Sequence, residues 1–135
     1  MAKMRNMEKY AFRRWKQLYG NKLYAEDFAG NLMRRDAYGN RNAYVIVGNE
    51  RIYCGWNLHH VLPKACGGAG GESNLICTNI VTNELAGDKT TFWIDDTCYQ
   101  VQKSGTIPWY DIIPIEVRKE YSWQSAILSV EQPVG

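Results

Sequence analysis

The chain holds two histidines, His59 and His60, and they stand side by side. An imidazole titrates near neutrality, so it can ligate a divalent metal through a ring nitrogen or accept a proton as a general base. Adjacent residues of a regular strand point to opposite sides. A strand-borne pair therefore suits a division of labour, one ring on a metal and the other on a neighbouring phosphate. Beyond the pair come a glycine-rich loop with Gly67, Gly68, Gly70 and Gly71, and asparagines at 74, 79 and 83.

The surrounding residues predict how these groups are held. WNLHHVLP is short, apolar and closed by a proline, and reads as a strand ending at Leu62. KACGGAGGES, with four glycines in ten residues, reads as a loop. NLICT reads as a second strand, and NIVTNELAG as a helix of about two turns. Asn79 is placed to cap that helix and Gly87 to end it. The expected ββα unit sets the end of the first strand against one helix face, so that the histidines meet Asn83 across a small gap.

This stretch, residues 55–89, resembles the HNH (ββα-metal) nuclease motif. That motif carries an Asp-His or His-His pair on the first strand, a middle Asn opening the second, and a His or Asn on the helix. The matching residues are His59-His60, Asn74 and Asn83, at intervals of 14 and 9 residues. Both intervals are similar to those of the HNH domain in CRISPR effector nucleases, and the His-His doublet is the form found in nuclease colicins. Pro63, Gly67-Gly68, Asn74-Leu75 and Gly87-Asp88-Lys89 agree with the pattern as well.

The resemblance implies a metal-dependent endonuclease that hydrolyses phosphodiester bonds in DNA, leaving a 5′-phosphate and a 3′-hydroxyl. His60 would be the general base. His59 and Asn83 would hold one divalent metal ion, and Asn74 would brace the loop that orients His60. Two departures stand out. His59 replaces the usual acidic ligand, and Gly87 occupies the place of a further histidine in the colicin form. The expected ion is Mg²⁺ or Mn²⁺, with Ni²⁺ or Zn²⁺ as the further candidates, since a His-plus-Asn site is weak for hard Mg²⁺ and admits the softer ions more easily. The implied enzyme is a nicking or weakly specific one of phage or bacterial origin, acting in the cytoplasm. Two alternatives stay open. One is an HNH-fold binding protein that inhibits or regulates a defence nuclease through a protein partner; the other is a nuclease acting on RNA or single strands.

The rest of the chain must position this unit. Its 135 residues suffice for a single domain, and 45% apolar content is ordinary for a globular protein. The expected class is α+β, with N-terminal helices over residues 1–42, β-hairpins, the central ββα-metal unit, and C-terminal strands and a tail over 90–135. An amphipathic helix is expected over 4–19, with Met4, Met7, Ala11, Trp15 and Leu18 on one face, and a second helix over Ala25–Arg35. Residues 43–56 and 90–103 read as hairpins around Gly48-Asn49 and Asp95-Asp96. Pro108 and Pro114 confine 107–117 to an edge strand, and 118–130 reads as a short closing helix.

A net charge of +2 is too small to argue for nucleic acid by itself, but residues 1–16 carry an excess of five positive charges. Arg13 and Arg14 there, with Lys64 and Lys89 near the motif, are the candidate DNA contacts; solvated surface positions explain single lysines, Lys103 included, equally well. Glu72, Asp88, Asp95 and Asp96 fit turn and cap roles, and Trp56 reads as core. Four cysteines without a C-x-x-C pair argue against a zinc knuckle and read as free thiols in a reducing compartment. The charged N-terminus reads as no secretion signal, and no apolar run reaches membrane-spanning length.

Overall fold

The computed structural model describes residues 2–107 and 109–118. The described residues form an α+β arrangement of two α-helices and four small antiparallel sheets. Helix α1 spans Ala2–Tyr19. Its buried stripe is Ala11 and Trp15, both fully buried, continued by the partly buried Tyr19. That spacing of four keeps the three on one side of the helix. Met7 and Leu18, expected on the same face, stay exposed. Gly20 closes the helix in the left-handed region, its N–H reaching the Lys16 carbonyl at 2.9 Å.

The second helix expected over 25–35 does not form. Strands β1 (Tyr24–Glu26) and β2 (Leu32–Arg34) make a tight hairpin there, so the described residues 2–42 hold one α-helix rather than two. The cause is local. Asp27 was expected in the first helical turn, but its Oδ1 accepts from Ala29 N at 3.0 Å and Asn31 N at 2.9 Å. Such a side chain offers the backbone a turn that competes with helix, and Gly30 completes it at φ 83°.

The two-residue hairpins lie where the sequence predicts them. Strands β3 (Tyr44–Val47) and β4 (Glu50–Tyr53) pair around Gly48-Asn49. Strands β7 (Thr91–Ile94) and β8 (Thr97–Lys103) pair around Asp95-Asp96. Between them stand β5 (Trp56–His60), β6 (Leu75–Asn79) and helix α2 (Ile80–Ala86), with β5 antiparallel to β6. Strand β9 (Tyr110–Val117) takes the edge beside β8. Pro114 sits opposite Tyr99, next to a register irregularity, where a missing N–H is tolerated. The closing helix expected over 118–130 lies outside the described residues except for Arg118, which is not helical.

Two cores flank the central unit. The first gathers Trp15, Met33, Cys54, Trp56 and Cys77, with the Trp15 and Trp56 ring centroids 4.9 Å apart. Each indole N–H is satisfied, Trp15 by the Lys22 carbonyl at 2.9 Å and Trp56 by the Arg35 carbonyl at 3.2 Å. Truncating either buried indole to alanine costs about 3–5 kcal/mol. The second core is Ala86, Phe92, Ile94 and Tyr99, with Phe28 against it. Strands β5 and β6 thus feed the first core while α2 reaches the second, and both ends of the ββα unit are held. Among the described residues no helix is long and apolar enough to cross a membrane.

Candidate active site

Strand β5 delivers the histidines and α2 delivers Asn83. The register His59↔Ile76 and His60↔Leu75 ends the pairing at His60, two residues before the strand was expected to stop. His59 is buried and turns toward α2, where its Nδ1 lies 2.5 Å from Asn83 Oδ1. The amide oxygen accepts, so Nδ1–H donates. Asn83 Nδ2 in turn donates to Asn57 Oδ1 at 2.7 Å. Asn57 stands two residues before His59 on the same strand and so on the same side of it.

The loop after His60 is fixed by Asn74. This buried side chain accepts from Leu62 N at 2.9 Å and donates to the carbonyls of Leu62 at 2.9 Å and Ala69 at 2.8 Å. Its main-chain carbonyl accepts from Val61 N at 2.8 Å. One residue therefore stitches the chain leaving His60 to the chain entering β6. Gly68 allows the loop to close: a Cβ there would lie 1.8 Å from the Leu62 carbonyl oxygen.

His59, His60, Asn83, Lys64 and Asp88 border one open cleft of about 420 Å³. Both histidines border it, as does Leu58, so residues from both sides of β5 reach the cleft despite the alternation of a regular strand. Burial lowers the His59 pKa, partly offset by the Asn83 hydrogen bond. Burial also lowers that of His60, and the nearby Lys64 charge adds to it. Both rings are thus held toward the neutral form, which a ligand and a general base each need.

The donor set can be judged for a divalent ion. The His59 nitrogen and the Asn83 oxygen that would hold a divalent ion share the Nδ1 proton at 2.5 Å, so an ion bound by both takes the place of that proton and spreads the two side chains. The donor set itself, a neutral imidazole and an amide oxygen, fits Mn²⁺, Ni²⁺ or Zn²⁺ better than Mg²⁺. Among the described residues no three His, Cys, Asp or Glu side chains come together to hold a metal. Asp88 borders the cleft, and its charge raises the His59 pKa slightly against burial.

The other candidates separate. Lys64 lines the cleft, and Lys89 is exposed just past Asp88. Arg13 is exposed but paired with Glu72 at 3.1 Å. Arg14 tethers α1 to β6: its Nε donates to the Leu75 carbonyl at 2.6 Å and its guanidinium to Gln17 at 3.0 Å. Asn79 caps α2, accepting from Val81 N at 2.9 Å, and is not directed to a metal. Trp56 is core. Sequence reasoning missed Asn57; the signal was a polar amide at same-face spacing from His59.

Comparison with known proteins returns no family model that matches the chain, and no curated protein or solved structure that matches it.

Proposed function

We propose that this protein is a metal-dependent endonuclease of the HNH type, cutting phosphodiester bonds in DNA. The observation that carries this reading is the convergence of His59, His60 and Asn83 on one cleft, with Asn74 clamping the loop beside them. His59 and Asn83 would hold the ion, which when bound neutralises charge at the scissile phosphate and the leaving oxygen.

His60, kept neutral at the strand end, takes a proton from a water molecule as that water attacks phosphorus. Lys64 on the cleft rim offers positive charge to the phosphate. Asn74 does not touch the reacting atoms; it holds the main chain from which the His60 ring projects.

The test is plasmid cleavage by purified protein with Mg²⁺, Mn²⁺, Ni²⁺ or Zn²⁺, and with chelator. Cleavage should require a metal. His60→Ala should lower the rate by about two to four orders of magnitude, the usual worth of a general base, and Asn83→Ala should abolish the metal response. No cleavage with any ion, or equal cleavage by His60→Ala, sinks the nuclease reading.

A further inference from the structure

His60 stands between two depressions. One is the polar cleft just described. The other, of about 460 Å³, is walled by Met7 and Tyr10 of α1, by Leu58 of β5 and by Leu75 of β6, and its surface is mainly apolar. Gly70 and Gly71 form part of its floor, and His60 and Lys64 belong to both depressions.

The two floor glycines have no backbone reason to be glycine. Gly71 is extended, at φ −79° and ψ 166°, and a Cβ on it would meet nothing within 4 Å. A Cβ on Gly70 would only touch the Lys64 side chain, at 3.6 Å. Gly68 nearby is the opposite case, since the Leu62 carbonyl forbids any side chain there. What glycine achieves at 70 and 71 is a bare floor beneath an apolar slot. Tyr10 is 49% exposed at its edge, with the Arg13 guanidinium 5.3 Å from the ring centroid. The one acid in the wall, Glu72, is already engaged by Arg13 at 3.1 Å and Gln17 at 3.2 Å. The rim is therefore permissive to an anionic backbone, while the interior suits a flat apolar ring.

We infer that this slot receives an unstacked nucleobase of the DNA strand whose phosphate lies at His60. The inference rests on the nuclease reading for the position of that phosphate, and it narrows the substrate to DNA that is single-stranded or locally unpaired at the neighbouring nucleotide. Stacking on Tyr10 over the glycine floor supplies sequence-tolerant affinity, since every base has a flat face.

The experiment is equilibrium binding, in chelator, of a short single-stranded DNA carrying 2-aminopurine, and of the same strand with an abasic site at that position. It uses the full chain as parent, Gly71→Leu and Tyr10→Ala. Gly71→Leu adds a bulky side chain to the slot's lining at an extended, unobstructed position, and its thermal unfolding should not fall below the parent's. Expected are a change in 2-aminopurine emission on binding and a loss of about tenfold in affinity for the abasic strand. A similar loss is expected for each variant, with no further loss when the variants meet the abasic strand.

Equal binding of intact and abasic strands, unchanged binding by Gly71→Leu, or no binding at all overturns the inference. So does a chain that self-associates through the slot, with Gly71→Leu abolishing the dimer and leaving DNA binding unchanged. A parallel cleavage assay separates the two readings. A base-dependent binder that cuts nothing keeps the slot and loses the nuclease; a nuclease indifferent to the base keeps catalysis and loses the slot.

Discussion

The Asn83 amide nitrogen donates to Asn57 Oδ1 at 2.7 Å, and this bond decides which way the amide faces. With its nitrogen held by β5, Asn83 must turn its oxygen to His59. Asn57→Leu removes the acceptor and frees the amide to rotate. Calorimetric titration with Mn²⁺ or Zn²⁺ should show affinity weakened by about ten- to a hundredfold, as when other groups that orient ligands are removed. Asn57→Asp keeps an acceptor oxygen and should bind at least as tightly as the parent. Equal metal binding by Asn57→Leu would remove Asn57 from the site.

Asn74 has an independent readout. Asn74→Ala strands the Leu62 amide and loosens two carbonyls. Denaturant unfolding should show a loss on the order of 2 kcal/mol. Cleavage measured well below the unfolding midpoint should fall further than the folded fraction does, because the main chain under His60 is released.

Gly68 and Gly71 should behave oppositely. Gly68→Ala drives a methyl group into the Leu62 carbonyl, and the loop must open at a cost of about 1–3 kcal/mol. Gly71→Ala meets open space at an allowed conformation and should be neutral or stabilising by about 0.4–1 kcal/mol through the unfolded chain. Melting temperatures of the two variants decide it, and a comparable loss in both would contradict the loop geometry.

Burial lowers the pKa of both histidines below the ordinary 6.5. The unfolded chain therefore binds protons first as pH falls. The stability tied to their neutral forms is fully present above 6.5 and declines as pH drops through and below that value. Unfolding midpoints in chelator, from about pH 8 down to about pH 5, should show this decline. The double variant His59→Leu/His60→Gln should flatten it over the upper part of that range.

The four cysteines are free thiols, and only Cys66 is exposed. Burial pushes the Cys77 thiol up to about 12 and raises Cys54 as well. A water-soluble disulfide reagent at mildly alkaline pH should modify one thiol per native chain rapidly. Cys66→Ser should remove that phase, and the other three should react only on unfolding. Two fast thiols would mean that a core opens.

The central unit was legible because its signals are short-ranged. A proline stop, a glycine loop, an Asn cap and a C-terminal glycine each act within a few residues, and all four operate in residues 56–87. The hairpins at Gly48-Asn49 and Asp95-Asp96 were legible for the same reason. Residues 25–35 look helical because acids stand at one end and Arg34 and Arg35 at the other, the order a helix dipole favours, while Asp27 and Gly30 build a turn instead. The tether from Arg14 to the Leu75 carbonyl, 61 residues away, is one that no local pattern announces. Asn57 offers only its same-face spacing from His59 as a local signal, since its partner lies on another element, 26 residues on.

Asp27 and Asn79 carry a last implication. Asp27 Oδ2 accepts from Asn79 N at 3.0 Å, and Asn79 Nδ2 reaches the carbonyls of Leu32 at 2.9 Å and Tyr53 at 3.3 Å. Asn31 adds a bond of 2.7 Å to Thr82 on α2. The start of the helix that carries Asn83 is thus knotted to a hairpin some fifty residues earlier. The histidine-bearing stretch is consequently not a portable cassette: grafted onto another scaffold without residues 24–34, it would arrive with its helix unanchored and its two halves free to drift apart.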